Sequence, residues 1–191
     1  MNKDIEHYLY KTNFLDKEYC EQTINVLNKN DWTPHEWYDY STDSLNSNNQ
    51  QPSVILYENF TDEVKSINDE IIKKLHTSLL EYLERLDFHW FRSWRGYSAI
   101  KFIQYNQGHT MERHCDHIHN LFDGNIKGIP TLSIIGLLND NYEGGDIIMF
   151  EDKKINTKAG DLLIFPSNFL YPHEITPVTK GTRYSFVSWV W

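Results

Sequence analysis

Apolar residues fall into two rhythms along this chain, helical in the first half and strand-like in the second. Between Asp16 and Lys29, Tyr19, Cys20, Thr23, Ile24 and Leu27 recur at helical spacing, and Asp16 stands where a capping side chain belongs. The spacing predicts a short amphipathic helix. A longer one runs from a Thr61 cap to about Leu86. There Val64, Ile67, Ile71, Leu75, Leu79, Leu83 and Leu86 draw one apolar stripe, and Asp62 and Glu63 suit the positive end of the helix dipole. Such a stripe needs a surface to cover, and the outside of a sheet provides one. From Ser98 onward the apolar runs become short, β-branched or aromatic, and are bounded by Gly, Pro or Asn: residues 98–105, 132–138, 146–150, 161–165 and 184–191. That punctuation suits a jelly roll. Between the two helices, residues 36–52 turn polar, with Ser41-Thr42-Asp43-Ser44 and Asn46-Ser47-Asn48-Asn49-Gln50-Gln51. They read as a mobile loop, either an unstructured connection or a lid over substrate.

Length narrows the architecture further. At 191 residues the chain suits a single domain of α+β class. Residues 1–97 would give helical support and a substrate-side loop, and residues 98–191 a β-rich catalytic core. The formal charge of −9 works against a broad phosphate-binding surface and so against a nucleic-acid partner. Cys20 and Cys115 are the only cysteines, which implies no disulfide framework. The opening residues lack the apolar core of a signal peptide, and no apolar run reaches the roughly 18 residues of a membrane span. These features point to a soluble protein of the cytoplasm with no membrane partner. Aromatic residues make up 15% of the chain, which suits a β-rich core or a groove for an extended, proline-rich peptide.

The chemistry concentrates in His114-Cys115-Asp116, His173 and Arg183. In an extended strand, positions i and i+2 share a face, so His114 and Asp116 can meet one ion while Cys115 points away. His173 lies far enough downstream for several antiparallel strands to return it beside them. Two imidazoles and a carboxylate on one side of a metal leave coordination positions open, as in non-haem iron sites. Two alternatives stay open: His117 or His119 as ligands, and zinc as the metal, activating water for hydrolysis. Arg183 favours iron, because a strand guanidinium awaiting a dicarboxylate has no part in zinc hydrolysis. Ser185, two residues on, would sit beside it.

Several separated segments carry a resemblance in order. They are Tyr105-Asn106-Gln107-Gly108 before the H-x-D pair, Leu138-Asn139, Tyr142-Glu143-Gly144-Gly145-Asp146, Gly160-Asp161-Leu162-Leu163-Ile164-Phe165-Pro166, Pro172-His173-Glu174, Gly181-Thr182-Arg183-Tyr184-Ser185 and Trp189. From about Ser98 to Trp191 the chain resembles the Fe(II)- and 2-oxoglutarate-dependent dioxygenases, in particular the prolyl 4-hydroxylase type. The resemblance implies a double-stranded β-helix with a cupin-like core. His114, Asp116 and His173 would bind Fe(II), Arg183 would pair with 2-oxoglutarate, and Tyr105 would hydrogen-bond it. Trp189 would line the pocket of the cosubstrate or of the substrate. It further implies O2 as cosubstrate, ascorbate as a reductant that keeps the iron ferrous, and a proline-containing peptide or protein as substrate. The intact Asp116 carboxylate favours hydroxylation over halogenation. Free proline or another small metabolite is the rival substrate, and a non-catalytic cupin-like binding module the rival class. Two positions depart from the pattern: collagen-type members carry Lys where Arg183 stands, and oxygen-sensing members carry Tyr where Leu137 stands.

Overall fold

The computed structural model describes residues 5–39, 43–87, 96–116 and 130–191. Helix α1 (Lys17–Leu27) starts at its expected cap: the Asp16 carboxylate accepts the Tyr19 N–H at 2.7 Å and satisfies a backbone donor that the helix itself leaves free. Helix α2 (Asp62–Arg85) follows Thr61, whose hydroxyl faces the Val64 N–H at 3.5 Å. Asp62 and Glu63 in its first turn and Arg85 in its last match the dipole at both ends. The predicted stripe is mostly the buried one. Ile67 and Leu83 are only half-buried, however, and Asn68, Ser78 and Tyr82 take inner positions. Asn68 has a partner there: its side-chain oxygen accepts the Ile100 N–H at 3.0 Å and ties the helix to the chain entering the sheet.

The first half of the chain supplies strands β1 (Tyr10–Asn13), β2 (Thr33–Pro34), β3 (Trp37–Asp39), β4 (Ser44–Asn46) and β5 (Ser53–Ile55). The second half supplies β6 (Lys101–Tyr105), β7 (Met111–His114), β8 (Leu132–Leu137), β9 (Glu143–Gly144), β10 (Ile147–Met149) and β11 (Lys153–Ile155). It continues with β12 (Asp161–Pro166), β13 (His173–Ile175), β14 (Val178–Lys180) and β15 (Arg183–Val190). Seven strands form one sheet in the order β1-β12-β8-β15-β6-β5-β2, and four form a second, β11-β10-β13-β7. The first half thus adds β1, β2 and β5 to the large sheet as well as both helices.

Alternation along each strand divides the large sheet into two faces. Phe102, Ile134, Leu162, Ile164 and Phe186 point to one side and pack with Leu27 and the apolar face of α2. Ile103, Tyr105, Ile135, Leu163 and Phe165 point to the other and meet Ile147, Met149 and Ile175 of the small sheet. The result is a double-stranded β-helix with helices on the back of its larger sheet, the α+β jelly roll that the sequence predicted. Phe186 pairs with Gly136 across strands β15 and β8, and its ring fills the space that a Cβ at Gly136 would need. Only glycine leaves that room.

Residues 36–52 differ from the predicted loop. Strands β3 and β4 pair antiparallel, with Trp37 opposite Asn46 and Asp39 opposite Ser44, so the segment contains a hairpin. A two-stranded ribbon is held by its backbone hydrogen bonds, which side-chain polarity does not register. Residues 40–42 lie outside the described residues. Among the described residues, no helix is long and apolar enough to cross a membrane.

Candidate active site

Strands β7 and β13 are neighbours in the small sheet, and their register sets His114 directly opposite His173. Two imidazoles remote in sequence therefore face each other, their ring centroids 4.4 Å apart. Asp116 arrives differently from the expected shared strand face. Strand β7 ends at His114, and Asp116 lies in the bend beyond it. Its Oδ1 is 3.4 Å from His114 Nε2 and its Oδ2 3.8 Å from His173 Nε2. One ligand atom from each of the three residues falls within 4.8 Å of the others. Cys115 is half-buried and free, and takes no part in the cluster. The alternatives His117 and His119 lie outside the described residues.

Backbone carbonyls orient both rings. His114 Nδ1 lies 2.7 Å from the Glu112 carbonyl, and His173 Nδ1 lies 3.2 Å from the Tyr171 carbonyl. A carbonyl can only accept, so each ring carries a proton on Nδ1 and turns Nε2 toward Asp116. Burial pushes the Asp116 carboxyl up, but the His114 hydrogen bond, the nearby charge of His173 and the Ser133 hydroxyl outweigh it. The group is held well below the usual carboxylate range. Burial drives His173 down. It also acts to lower His114, where the Asp116 hydrogen bond and charge win and raise the ring's pKa. One fixed carboxylate and two inward-facing imidazoles form a donor set suited to a divalent metal with open positions.

Arg183 opens β15 opposite Tyr105 of β6. It is 1% exposed, donates from one terminal nitrogen to Ser185 Oγ at 2.8 Å, and stacks 4.9 Å from the Tyr105 ring centroid. Among the described residues, no hydrogen bond of ordinary geometry reaches its Nε or its other terminal nitrogen. A buried cation with unused donors costs stability, and a planar fork of this kind fits a carboxylate. Burial pushes the Tyr105 hydroxyl up to about 12, with Arg183 easing the shift and Asp116 adding to it. Tyr105 therefore lies within electrostatic reach of both the guanidinium and the triad.

Two residues beside Arg183 escaped the sequence reading as site residues. Tyr142 stands next to it, its hydroxyl raised by burial and lowered in part by the guanidinium charge and by a hydrogen-bonding contact with that guanidinium. Gly145 has φ +62°, and a Cβ there would lie 3.0 Å from Arg183 Cδ and 3.1 Å from Tyr142 Cε2. The Gly-Gly pair is thus a turn that also clears space for the arginine stem. Trp189 shares the inner face of β15 with Arg183, but six strand residues place it roughly 20 Å away. Its neighbour is Lys101, whose Nζ lies 5.4 Å from the indole centroid.

Comparison with known proteins follows this geometry. Residues 100–191 match the family model described as 2OG-Fe(II) oxygenase superfamily. A PKHD-type hydroxylase of Acinetobacter baumannii is 34% identical over 96 residues, 47% of this chain and 41% of that protein. One of Stenotrophomonas maltophilia is 31% identical over 99 residues, 49% of this chain and 43% of the relative. The aligned segment thus spans less than half of these relatives' length. A Trichoplax adhaerens prolyl hydroxylase, solved with a peptide fragment of the hypoxia inducible factor oxygen degradation domain, superposes with a TM-score of 0.70. That match has 20% identity and covers 100% of this chain and 86% of the other. A Pseudomonas putida prolyl-4-hydroxylase superposes with a TM-score of 0.62 at 16% identity, over 96% of this chain and 92% of the other. At such identities the structural matches speak for the fold.

Proposed function

Since residues 100–191 belong to the 2OG-Fe(II) oxygenase superfamily, we propose that the chain is an Fe(II)- and 2-oxoglutarate-dependent dioxygenase that hydroxylates a prolyl residue of a peptide or protein. The observation that carries the reading is Arg183, a buried guanidinium with two nitrogens that no described residue pairs, stacked on Tyr105, which Asp116 of the His-Asp-His cluster also reaches electrostatically. A metal site alone would not need it. With Fe(II) and 2-oxoglutarate bound, the chemistry supplied is insertion of one oxygen atom of O2 into a C–H bond, coupled to oxidative decarboxylation of 2-oxoglutarate to succinate and carbon dioxide.

The chain's own residues position the reactants and exclude water. His114, Asp116 and His173 would hold the metal from one side, with the Glu112 and Tyr171 carbonyls fixing both rings. Arg183 would take the far carboxylate of 2-oxoglutarate through its free nitrogens. Ser185 holds the guanidinium in place by accepting from one terminal nitrogen, and the Tyr105 ring stacks against it. Trp189, at the other end of the strand, belongs to the substrate side. The peptide held by the Trichoplax adhaerens enzyme supports a peptide substrate.

The test uses a panel of proline-containing peptides with Fe(II), 2-oxoglutarate and oxygen, read by mass spectrometry and succinate release. A product heavier by one oxygen atom and formed in step with succinate is expected. Asp116→Ala should abolish both and weaken ferrous binding. Retained hydroxylation in that variant would remove Asp116 from the metal site.

A further inference from the structure

Resting on that reading, we infer that the end of the large sheet's inner face opposite Arg183 is a second anion subsite, where Lys101, with Trp189 and His35, receives a carboxylate carried by the substrate. Lys101 opens β6, and alternation puts it on the same inner face as Ile103 and Tyr105. Its cross-strand partner is Val187, four residues beyond Arg183 and two before Trp189. Along a strand that is a separation of roughly 13 Å from Arg183. The ammonium turns further away still, over the Trp189 ring at 5.4 Å. A five-carbon diacid spans at most roughly 5 Å between its carboxyl carbons. Held by Arg183, 2-oxoglutarate leaves Lys101 unclaimed.

No described residue gives the lysine another occupation. Among the described residues, no hydrogen bond or salt bridge reaches its Nζ, and a ring face satisfies none of the three N–H donors as an acceptor would. Burial pushes its pKa down, opposed in part by Asp116 and by Glu58, which acts from beyond ion-pair distance. Its neighbours are also short of partners. Trp189 Nε1 is buried without an acceptor, and His35 Nδ1 without a partner, among the described residues. His35 lies within electrostatic reach of both Lys101 and His114. Asp116 acts on both Lys101 and Tyr105, so the triad lies within electrostatic reach of both ends of this face.

Charge decides which anion fits. One lysine beside a neutral imidazole compensates a single negative charge, so a carboxylate suits it better than a phosphate dianion. A polyanion would also meet the formal charge of −9 on the chain. Two sources share that chemistry: the α-carboxylate of a free amino acid, and an acidic side chain next to the target proline in a peptide.

Anaerobic calorimetry on the Fe(II)- and 2-oxoglutarate-loaded protein separates them, using L-proline against L-prolinamide, and two end-blocked peptides differing only in Glu or Gln beside the proline. In the wild type, one carboxylate probe should bind at least about tenfold tighter than its amide, as expected for a hydrogen-bonded charge pair. Lys101→Met should erase the difference, Lys101→Arg should restore most of it, and neither should alter 2-oxoglutarate affinity by more than about twofold, because Arg183 is untouched. The pair that responds identifies the source. Equal binding of carboxylate and amide by the wild type, no binding of any probe, or discrimination that survives in Lys101→Met overturns the subsite. Loss of 2-oxoglutarate binding by the wild type itself would instead overturn the dioxygenase reading.

Discussion

The two faces of the large sheet are built from the same strands to opposite specifications. Toward the helices, Phe102, Leu162, Ile164 and Phe186 bury hydrocarbon against α1 and α2. Toward the small sheet, the same strands place Lys101, Tyr105, Arg183, Ser185 and Trp189 among apolar neighbours, and several of their polar atoms find no partner. A single residue step along β15 passes from one regime to the other. The helix-side face accumulates stability by burial. The inner face spends part of that stability on groups held ready for ligands, the usual tension between function and folding.

Substitutions on alternate positions of β15 should expose the contrast. Phe186→Ala removes a fully buried ring packed over Gly136 and should destabilise the protein by about 3–5 kcal/mol in denaturant titration. The KM for 2-oxoglutarate should stay within about twofold, since the ring faces away from the site. Arg183→Met should do the reverse. The KM for 2-oxoglutarate should rise about 100-fold as a buried charge pair is lost. The ligand-free protein should become more stable by about 1–4 kcal/mol, because an unpaired buried cation is replaced by hydrocarbon of similar length. A ligand-free Arg183→Met protein less stable than the wild type would show that the guanidinium is structural, and would dissolve the distinction between the faces.

Legibility in the sequence follows the same division. Asp16 and Thr61 announced their helices because a cap is a local hydrogen bond written within three residues. The long strands were readable from β-branched and aromatic runs. The hairpin of β3 and β4 was not, because backbone pairing leaves no trace in so polar a stretch. His114, His173, Arg183 and Ser185 were legible as chemistry; the register of β7 and β13 explains why the two histidines meet, and alternation along β15 why Arg183 meets Ser185. Asp116 was named as a ligand, but its placement in a bend past the strand end was not foreseeable from i, i+2 alternation. Lys101, His35 and Tyr142 went unnoticed as site residues. Each is an ordinary surface residue by type, and only the sheet register and the packing around it show that it faces inward.

His35 offers a smaller test on the inner side. Burial lowers its pKa from 6.5 to about 4, with Lys101 and His114 adding to the effect. As pH falls, the unfolded chain takes up this proton first and the folded protein only near the lower value. The stability contributed by neutral His35 is therefore complete above pH 6.5 and is lost between 6.5 and about 4. Relative to His35→Gln, the metal-free wild type should lose on the order of 2 kcal/mol across that window. Parallel pH–stability curves for the two proteins would place the imidazole in solvent and remove it from the buried wall.

Ser185 gives the finest resolution, because its position near Arg183 admits two roles. If its hydroxyl touched 2-oxoglutarate directly, Ser185→Ala would weaken cosubstrate binding whether or not the arginine were present. The 2.8 Å hydrogen bond from the guanidinium argues for a positioning role instead. Ser185→Ala should then raise the KM for 2-oxoglutarate about five- to tenfold with kcat unchanged, the loss expected for one hydrogen bond to a charged group. Ser185→Thr, which keeps the hydroxyl, should recover most of it. The double variant with Arg183→Met decides between the roles: a serine that acts by steering the guanidinium has nothing left to steer, so its effect should vanish in that background. A full effect of Ser185→Ala in the absence of Arg183 would make the serine a ligand of the cosubstrate in its own right.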